Sequence, residues 1–209
     1  MRYETSACNK RPNGEAGFSA AELMVVATIV IVLSVIAVFA LRPTKRNYSA
    51  DDGAELITNY LRDAYHRALA QRQTIRVDID IPNQWVILVD ENKLPVGDEI
   101  EIKRERLVSP VSMNRPSSGG APIALPPAPY AYNPAVFNSS GIWSARFRSD
   151  GSIVDAAGNP ESATLYFSPD QVTAKEMGLV RALTVFGPSG AIRKWYFDAS
   201  NSTFVAGGK

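Results

Sequence analysis

The chain of 209 residues has one cysteine, Cys8, and one histidine, His66. A lone cysteine excludes an intramolecular disulfide and a multi-cysteine metal site. His66 has no second histidine or cysteine to join it, so a metal centre or a serine-type triad lacks its partners. It reads as an ordinary solvated or partly packed side chain. Excess charge is missing as well: 22 Lys and Arg face 21 Asp and Glu, and a near-neutral chain draws no polyanion by its overall field. There is no Gly-rich phosphate loop, because Gly187 and Gly190 flank a turn between two strands. Asp51-Asp52 and the Asp78/Asp80 pair lack calcium-loop spacing. The expected reading is a non-enzyme with no metal and no cofactor.

Charge is also missing locally. Residues 23–41, LMVVATIVIVLSVIAVFAL, carry none. As a helix, Phe18 to Leu41 spans about 36 Å, and a bilayer core is about 30 Å thick. Residues 1–17 are polar, with Arg2, Lys10 and Arg11 on the side preceding the apolar run. That asymmetry keeps the N-terminus cytoplasmic and exports the residues beyond the run. Glu22 breaks the pattern at the start of the run. A bare carboxylate in hydrocarbon costs about 3 kcal/mol, so an ionisable residue there is a functional candidate. Two other readings stay open: an uncut signal anchor, or a secretory signal peptide with Val38-Phe39-Ala40 before its cut. The apolar run is longer than the roughly 7–15 residues of an ordinary signal peptide core.

The order Gly17-Phe18-Ser19-Ala20-Ala21-Glu22, followed by Leu23-Met24-Val25-Val26, resembles the type III signal sequence of type IV pilins and type II secretion pseudopilins. The resemblance implies a leader, residues 1–17, removed by prepilin peptidase between Gly17 and Phe18. Phe18 would then be N-methylated. It also implies that Glu22 pairs with the N-terminal ammonium of a neighbouring subunit during filament assembly. Glycine before the cut leaves the backbone open to the peptidase. An ion pair in an apolar bundle is favourable only when both charges meet, so Glu22 would set the register between subunits.

Beyond the apolar run, Pro43 is placed to bend or interrupt the helix. Asp51-Asp52 suits the start of a second helical pattern. Leu56, Ile57, Tyr60, Leu61, Ala64, Tyr65, Ala68 and Leu69 recur at steps of three and four, a broad apolar stripe that predicts packing on a sheet. Asp63 and Arg67 form an i,i+4 pair on the other side. From residue 74 the period changes. Thr74 to Ile81 alternates as a half-buried strand, Pro82-Asn83 marks a turn, and Gln84 to Asp90 is a second strand. Glu99 to Leu107 begins with alternation and then becomes charged, like an edge strand. Seven of the 14 prolines lie between Pro110 and Pro134. Residues 108–141 therefore read as a long surface loop or partly ordered insertion, either a partner contact or a tolerated excursion. Strands resume at 143–148, 164–167, 179–186 and 191–197, with turns at 149–152 and 187–190.

Phe147-Arg148-Ser149-Asp150-Gly151, Arg181 to Val185, and Ser189-Gly190-Ala191-Ile192-Arg193 resemble the C-terminal region of the GspH/FimT group of minor pilins and pseudopilins. Some members of that superfamily serve DNA uptake. Arg146, Arg148, Arg181, Arg193 and Lys194, with Trp143, Trp195 and Tyr196 near in sequence, are the candidates for a nucleic-acid contact. The competing reading is ordinary: outward strand positions take Arg and Lys for solubility, and with residues 1–17 removed the formal charges balance.

The expected architecture is α+β. A long N-terminal helix, with a membrane-spanning first half (18–41) and an amphipathic second half (42–73), lies on a mostly antiparallel β-sheet head (74–209). The resemblance implies a structural subunit of a type II secretion pseudopilus or type IV pilus in the bacterial inner membrane, single-pass, with its head outside the cytoplasm. Its partners would be prepilin peptidase, other pilin subunits and the membrane, with DNA as the alternative partner of a transformation pilin.

Overall fold

The computed structural model describes residues 19–91, 99–107, 111–118, 120–169 and 172–207. Gly17 and Phe18 lie outside the described residues. The chain divides into two units, Met1–Arg42 and Pro43–Lys209.

In the first unit the described residues belong to the start of one α-helix, α1 (Ala20–Gln71). Its segment Ala20–Ala37 is long and apolar enough to cross a membrane, and none of it is buried. Within this segment the two hydroxyls turn inward on the ladder. Thr28 donates to the Met24 carbonyl at 2.8 Å and Ser34 to the Val30 carbonyl at 2.7 Å. This back-bonding satisfies both hydroxyls within the helix, so the lateral surface stays apolar.

Helix α1 runs through Pro43 and through Asp51-Asp52. The expected interruption and second helix start are therefore corrected. A proline removes one bond from the ladder, but once a helix is nucleated each further residue adds a bond, so propagation continues beyond the gap. Asp51 serves instead as the partner of Arg181. The helix ends at Gln71 and is followed by Arg72, whose φ is 54°. The Gln73 N–H closes onto the Ala68 carbonyl at 3.3 Å, the six-to-one bond of a left-handed C-terminal cap.

In the second unit the helix half beyond Ser49 packs against two five-stranded antiparallel sheets. The first has the order β3-β2-β1-β7-β8, built from β1 (Ile75–Asp80), β2 (Trp85–Asp90), β3 (Ile100–Arg106), β7 (Ile142–Phe147) and β8 (Ile153–Val154). The second has the order β12-β11-β10-β9-β4, built from β4 (Val111–Ser112), β9 (Ala163–Pro169), β10 (Arg181–Phe186), β11 (Ala191–Asp198) and β12 (Thr203–Ala206). A small ribbon pairs β5 (Ser117–Ser118) with β6 (Ala121–Pro122). A 3-10 helix, Ala174–Leu179, precedes β10. The fold class is α+β, as the alternation of periods predicts.

The apolar stripe of α1 is the centre of the core. Ala54, Ile57, Leu61, Ala64 and Ala68 are wholly buried. They meet Ile75, Val77 and Ile79 of β1, Val86 and Leu88 of β2, and Leu183 and Val185 of β10. Strand β1 alternates buried and half-buried, with Arg76, Asp78 and Asp80 outward, the signature of a sheet covered on one face. β3 is the edge of its sheet and mostly exposed. Its Lys103, Arg104 and Glu105 discourage pairing with another chain.

Strand β9 does not alternate: every residue from Ala163 to Pro169 is buried. The reason lies in the Pro-rich segment. Its two ends are stitched to the outer edge of β9. Val111–Ser112 pairs with Pro169 and Ser168, while the Ala135 N–H donates to the Thr164 carbonyl and the Thr164 N–H to the Asn133 carbonyl, both at 2.9 Å. Between these ends Ile123, Leu125 and Tyr130 cover the outer face of the second sheet. There they join Tyr166, Ala182, Trp195, Phe197 and Phe204 in a second core cluster. The expected surface loop is thus in good part a packed layer.

Candidate functional site

Glu22 occupies the first turn of α1. Its Oε2 accepts the Ser19 N–H at 2.8 Å, and Ser19 Oγ accepts the Glu22 N–H at 3.3 Å. This is a reciprocal capping box, two orphan donors of the helix start satisfied at once. The carboxylate also sits at the positive end of the helix dipole. Both residues are exposed, so the box is built by local chemistry alone. Sequence reading singles out Glu22 for its charge but gives Ser19 no role. The signal was present: Ser followed three residues later by Glu, just before an apolar run, is a helix-start signature.

The five basic residues considered for nucleic acid fall into different settings. Arg181 is buried on the core-facing side of β10. Its Nε and Nη2 donate to the two carboxylate oxygens of Asp51 at 2.7 and 2.9 Å, and Nη1 donates to the carbonyls of Gly178 and Val180. Lys194 Nζ lies 3.3 Å from Glu55 Oε2 and 3.8 Å from Asp51 Oδ1. On the other sheet, Arg146 Nε is 2.9 Å from Glu91 Oε1, a carboxylate it shares with Arg76. Arg148 is exposed beside the turn at residues 149–152. Arg193 follows the strand alternation to the face of β11 opposite Lys194, where its guanidinium lies 4.3 Å from the centre of the Tyr130 ring.

Other titrating groups follow their surroundings. Burial pushes the Tyr166 hydroxyl up to about 12, and that hydroxyl has no hydrogen-bond partner among the described residues. Burial also raises the Glu161 carboxyl, against the opposing hydrogen bond from Trp143 Nε1 at 3.1 Å. His66 is exposed, edge-on to Tyr65 at 5.5 Å. Among the described residues no group of three or more His, Cys, Asp and Glu gathers to hold a metal.

No protein-family model and no curated protein sequence matches the chain. Among solved structures, the chain is similar to the type IV minor pilin FimU of Pseudomonas aeruginosa strain PAO1. The identity is 13%, the match covers 80% of this chain and 96% of that one, and the TM-score is 0.45. A likeness of that degree fixes neither family nor function.

Proposed function

We propose that the chain is a membrane-anchored filament subunit of the type IV pilin superfamily, assembled as a minor component into a type II secretion pseudopilus or type IV pilus. The observation that carries the reading is the pairing of one carboxylate with one unburied apolar helix. Glu22 opens Ala20–Ala37, whose side chains find no cover among the described residues. Leu23, Met24, Ile31 and Ile36 are all more than half exposed. Such a surface needs a bilayer or a bundle of like helices around it. A plain anchor has no use for a carboxylate at that depth, whereas a filament uses it to fix the step between subunits.

In this reading prepilin peptidase cuts between Gly17 and Phe18, Phe18 is N-methylated, and its ammonium becomes the partner of Glu22 on a neighbouring subunit. The capping box gives that exchange a starting point. Before assembly the carboxylate accepts the Ser19 N–H, which reduces the cost of its charge but leaves that charge without a counter-ion. The subunit then sits in the inner membrane with its head outside the cytoplasm.

Intact mass with N-terminal sequencing of the membrane-extracted protein tests this. The expected species begins at N-methylated Phe18. A start at Met1 identifies a plain anchor, and a start near Leu41 a secreted domain; either result defeats the filament reading. Replacing Glu22 by alanine is expected to reduce filament incorporation while the head stays folded. The transformation alternative predicts salt-sensitive binding of duplex DNA; against it, Arg146, Arg181 and Lys194 already face carboxylates.

A further inference from the structure

The outer face of the second sheet carries a concavity of about 510 Å³, within the range of small-ligand sites. Tyr130 and Tyr132 of the Pro-rich segment form one wall. Thr184 and Phe186 of β10, Ser189 of the following turn and Arg193 of β11 form the other. Tyr132 and Phe186 stack 15° from parallel with centroids 5.8 Å apart. Tyr130 supports the Arg193 guanidinium on its face.

The one charged group lining this concavity is the Arg193 guanidinium. No carboxylate and no carboxamide lines it. The Thr184 hydroxyl is already used, accepting Trp195 Nε1–H at 2.9 Å and reaching the Arg193 carbonyl at 3.4 Å. What remains is one group that only donates, the Arg193 fork, and three hydroxyls that both donate and accept, those of Ser189, Tyr130 and Tyr132. Among the described residues no carboxylate pairs with Arg193, whereas its neighbour Lys194 is matched to Glu55. A cationic ligand finds no counter-charge here. A neutral ligand leaves the Arg193 charge unmatched. A polyphosphate chain needs a row of cations, and this concavity supplies one.

We propose that this concavity binds a carboxylate carried on a flat, apolar body. The Arg193 fork matches a carboxylate in two parallel hydrogen bonds. Its seat on Tyr130 holds the guanidinium in place before binding, which reduces the ordering cost. The Tyr132–Phe186 stack offers the body a ring surface. The carboxylate has two natural sources: a free aryl acid, or an acidic residue beside a ring in another protein. The site stands on its own geometry and does not depend on the filament reading.

The test is calorimetric titration of the full chain in detergent micelles with two probes. One is 4-hydroxyphenylacetate; the other is a capped peptide with one glutamate next to one tyrosine. Saturable one-to-one binding of either probe is expected. Tighter binding of the free acid assigns a small-molecule site, and tighter binding of the peptide assigns a protein partner. The amide analogue, 4-hydroxyphenylacetamide, is expected to bind about tenfold more weakly, the loss of one charged hydrogen-bonding contact. Arg193→Gln is expected to weaken the acid about tenfold, and Arg148→Gln to leave it unchanged. The acid–amide comparison uses the unaltered protein, so it stands even where a variant misfolds. Binding of neither probe, or equal binding of acid and amide, overturns the proposal. So does an oligothymidylate that binds more tightly than both probes and is lost in Arg193→Gln.

Discussion

Asp51, in the middle of α1, accepts two parallel hydrogen bonds from Arg181 of β10, at 2.7 and 2.9 Å. The two residues are 130 apart in sequence, and the Arg181 side chain is only 10% exposed. The guanidinium also gives a third N–H group to the carbonyls that end the 3-10 helix and lies 4.6 Å from the Tyr196 ring centre. The pair therefore ties the helix to the second sheet at one defined turn. Asp51→Ala leaves a largely buried cation without its counter-charge. Because Asp51 itself is partly open to water, the expected cost is about 1.5–3 kcal/mol, below that of a fully buried pair. Urea unfolding of the detergent-solubilised chain measures it. Adding Arg181→Met to Asp51→Ala is expected to restore part of the loss, since both charges are then gone. Strictly additive losses defeat the assignment.

Glu161 gives a pH dependence of unusual sign for a carboxylate. Burial raises its pKa, and the Trp143 N–H opposes this only in part. The folded chain therefore holds this proton more tightly than the unfolded chain does. Its contribution to stability is present below the ordinary glutamate range and is lost as pH rises through the raised folded value. Glu161→Gln keeps an oxygen for Trp143 and removes the titration. The wild type is expected to lose stability relative to this variant as pH rises above the ordinary glutamate value of about 4.3. Parallel urea midpoints for the two proteins above that value would contradict the reading.

The amphipathic half of the helix, strands β1, β2 and β7 and the β10–β11 hairpin are legible from their apolar period or their turn residues. Ile75, Val77 and Ile79 alternate with Arg76 and Asp78, and Ile57, Leu61, Ala64 and Ala68 repeat every three or four residues. The second core layer is not legible. Ile123, Leu125 and Tyr130 are spaced among prolines with neither period, and only the double-sided burial of β9 reveals what they cover. Asp51 reads as a helix start because its partner lies 130 residues away, and no local pattern encodes such a distance. Glu22 is visible as a charge in an apolar run, and the capping box shows that Ser19 belongs with it. Strand β12 and the 3-10 helix before β10 are too short to rise above composition.

Gly187 closes the β10–β11 turn against the backbone of Glu161. A Cβ added there lies 2.6 Å from the Glu161 nitrogen and 2.7 Å from its carbonyl oxygen. Backbone cannot swing aside as a side chain can. The same residue also accepts the Ile153 N–H at 2.7 Å and donates to Ser162 Oγ at 3.0 Å, so a shift breaks bonds to both neighbours. Gly187→Ala is expected to cost about 1–3 kcal/mol in urea unfolding. Gly178→Ala is the control, because a Cβ there meets nothing within 4 Å. Equal effects at the two sites would show that close approach at Gly187 is not the cause.

Trp195 anchors the middle of the Pro-rich layer to the sheet between ends that are hydrogen-bonded to β9. Its ring is buried beside Tyr130 at 5.4 Å, and its Nε1–H is taken up by Thr184. The layer is also pinned by Arg115, whose guanidinium donates to the Ile123 carbonyl, but that bond joins the layer to itself and not to the sheet. The ends of the layer are hydrogen-bonded to β9, and its middle meets the sheet through the aromatic cluster around Trp195. Trp195→Ala is expected to cost about 3–5 kcal/mol. Trp195→Phe keeps a ring, loses the hydrogen bond and is expected to cost about 1–2 kcal/mol. Chymotrypsin cleavage after Tyr130 and Tyr132 reads the layer separately from the whole head. Under native conditions cleavage there is expected to be slow in the wild type and much faster in Trp195→Ala, ahead of cuts in the first sheet. If the rate at Tyr130 and Tyr132 rises only in step with global unfolding, the layer is not an independently opening unit, and its docking does not depend on this ring.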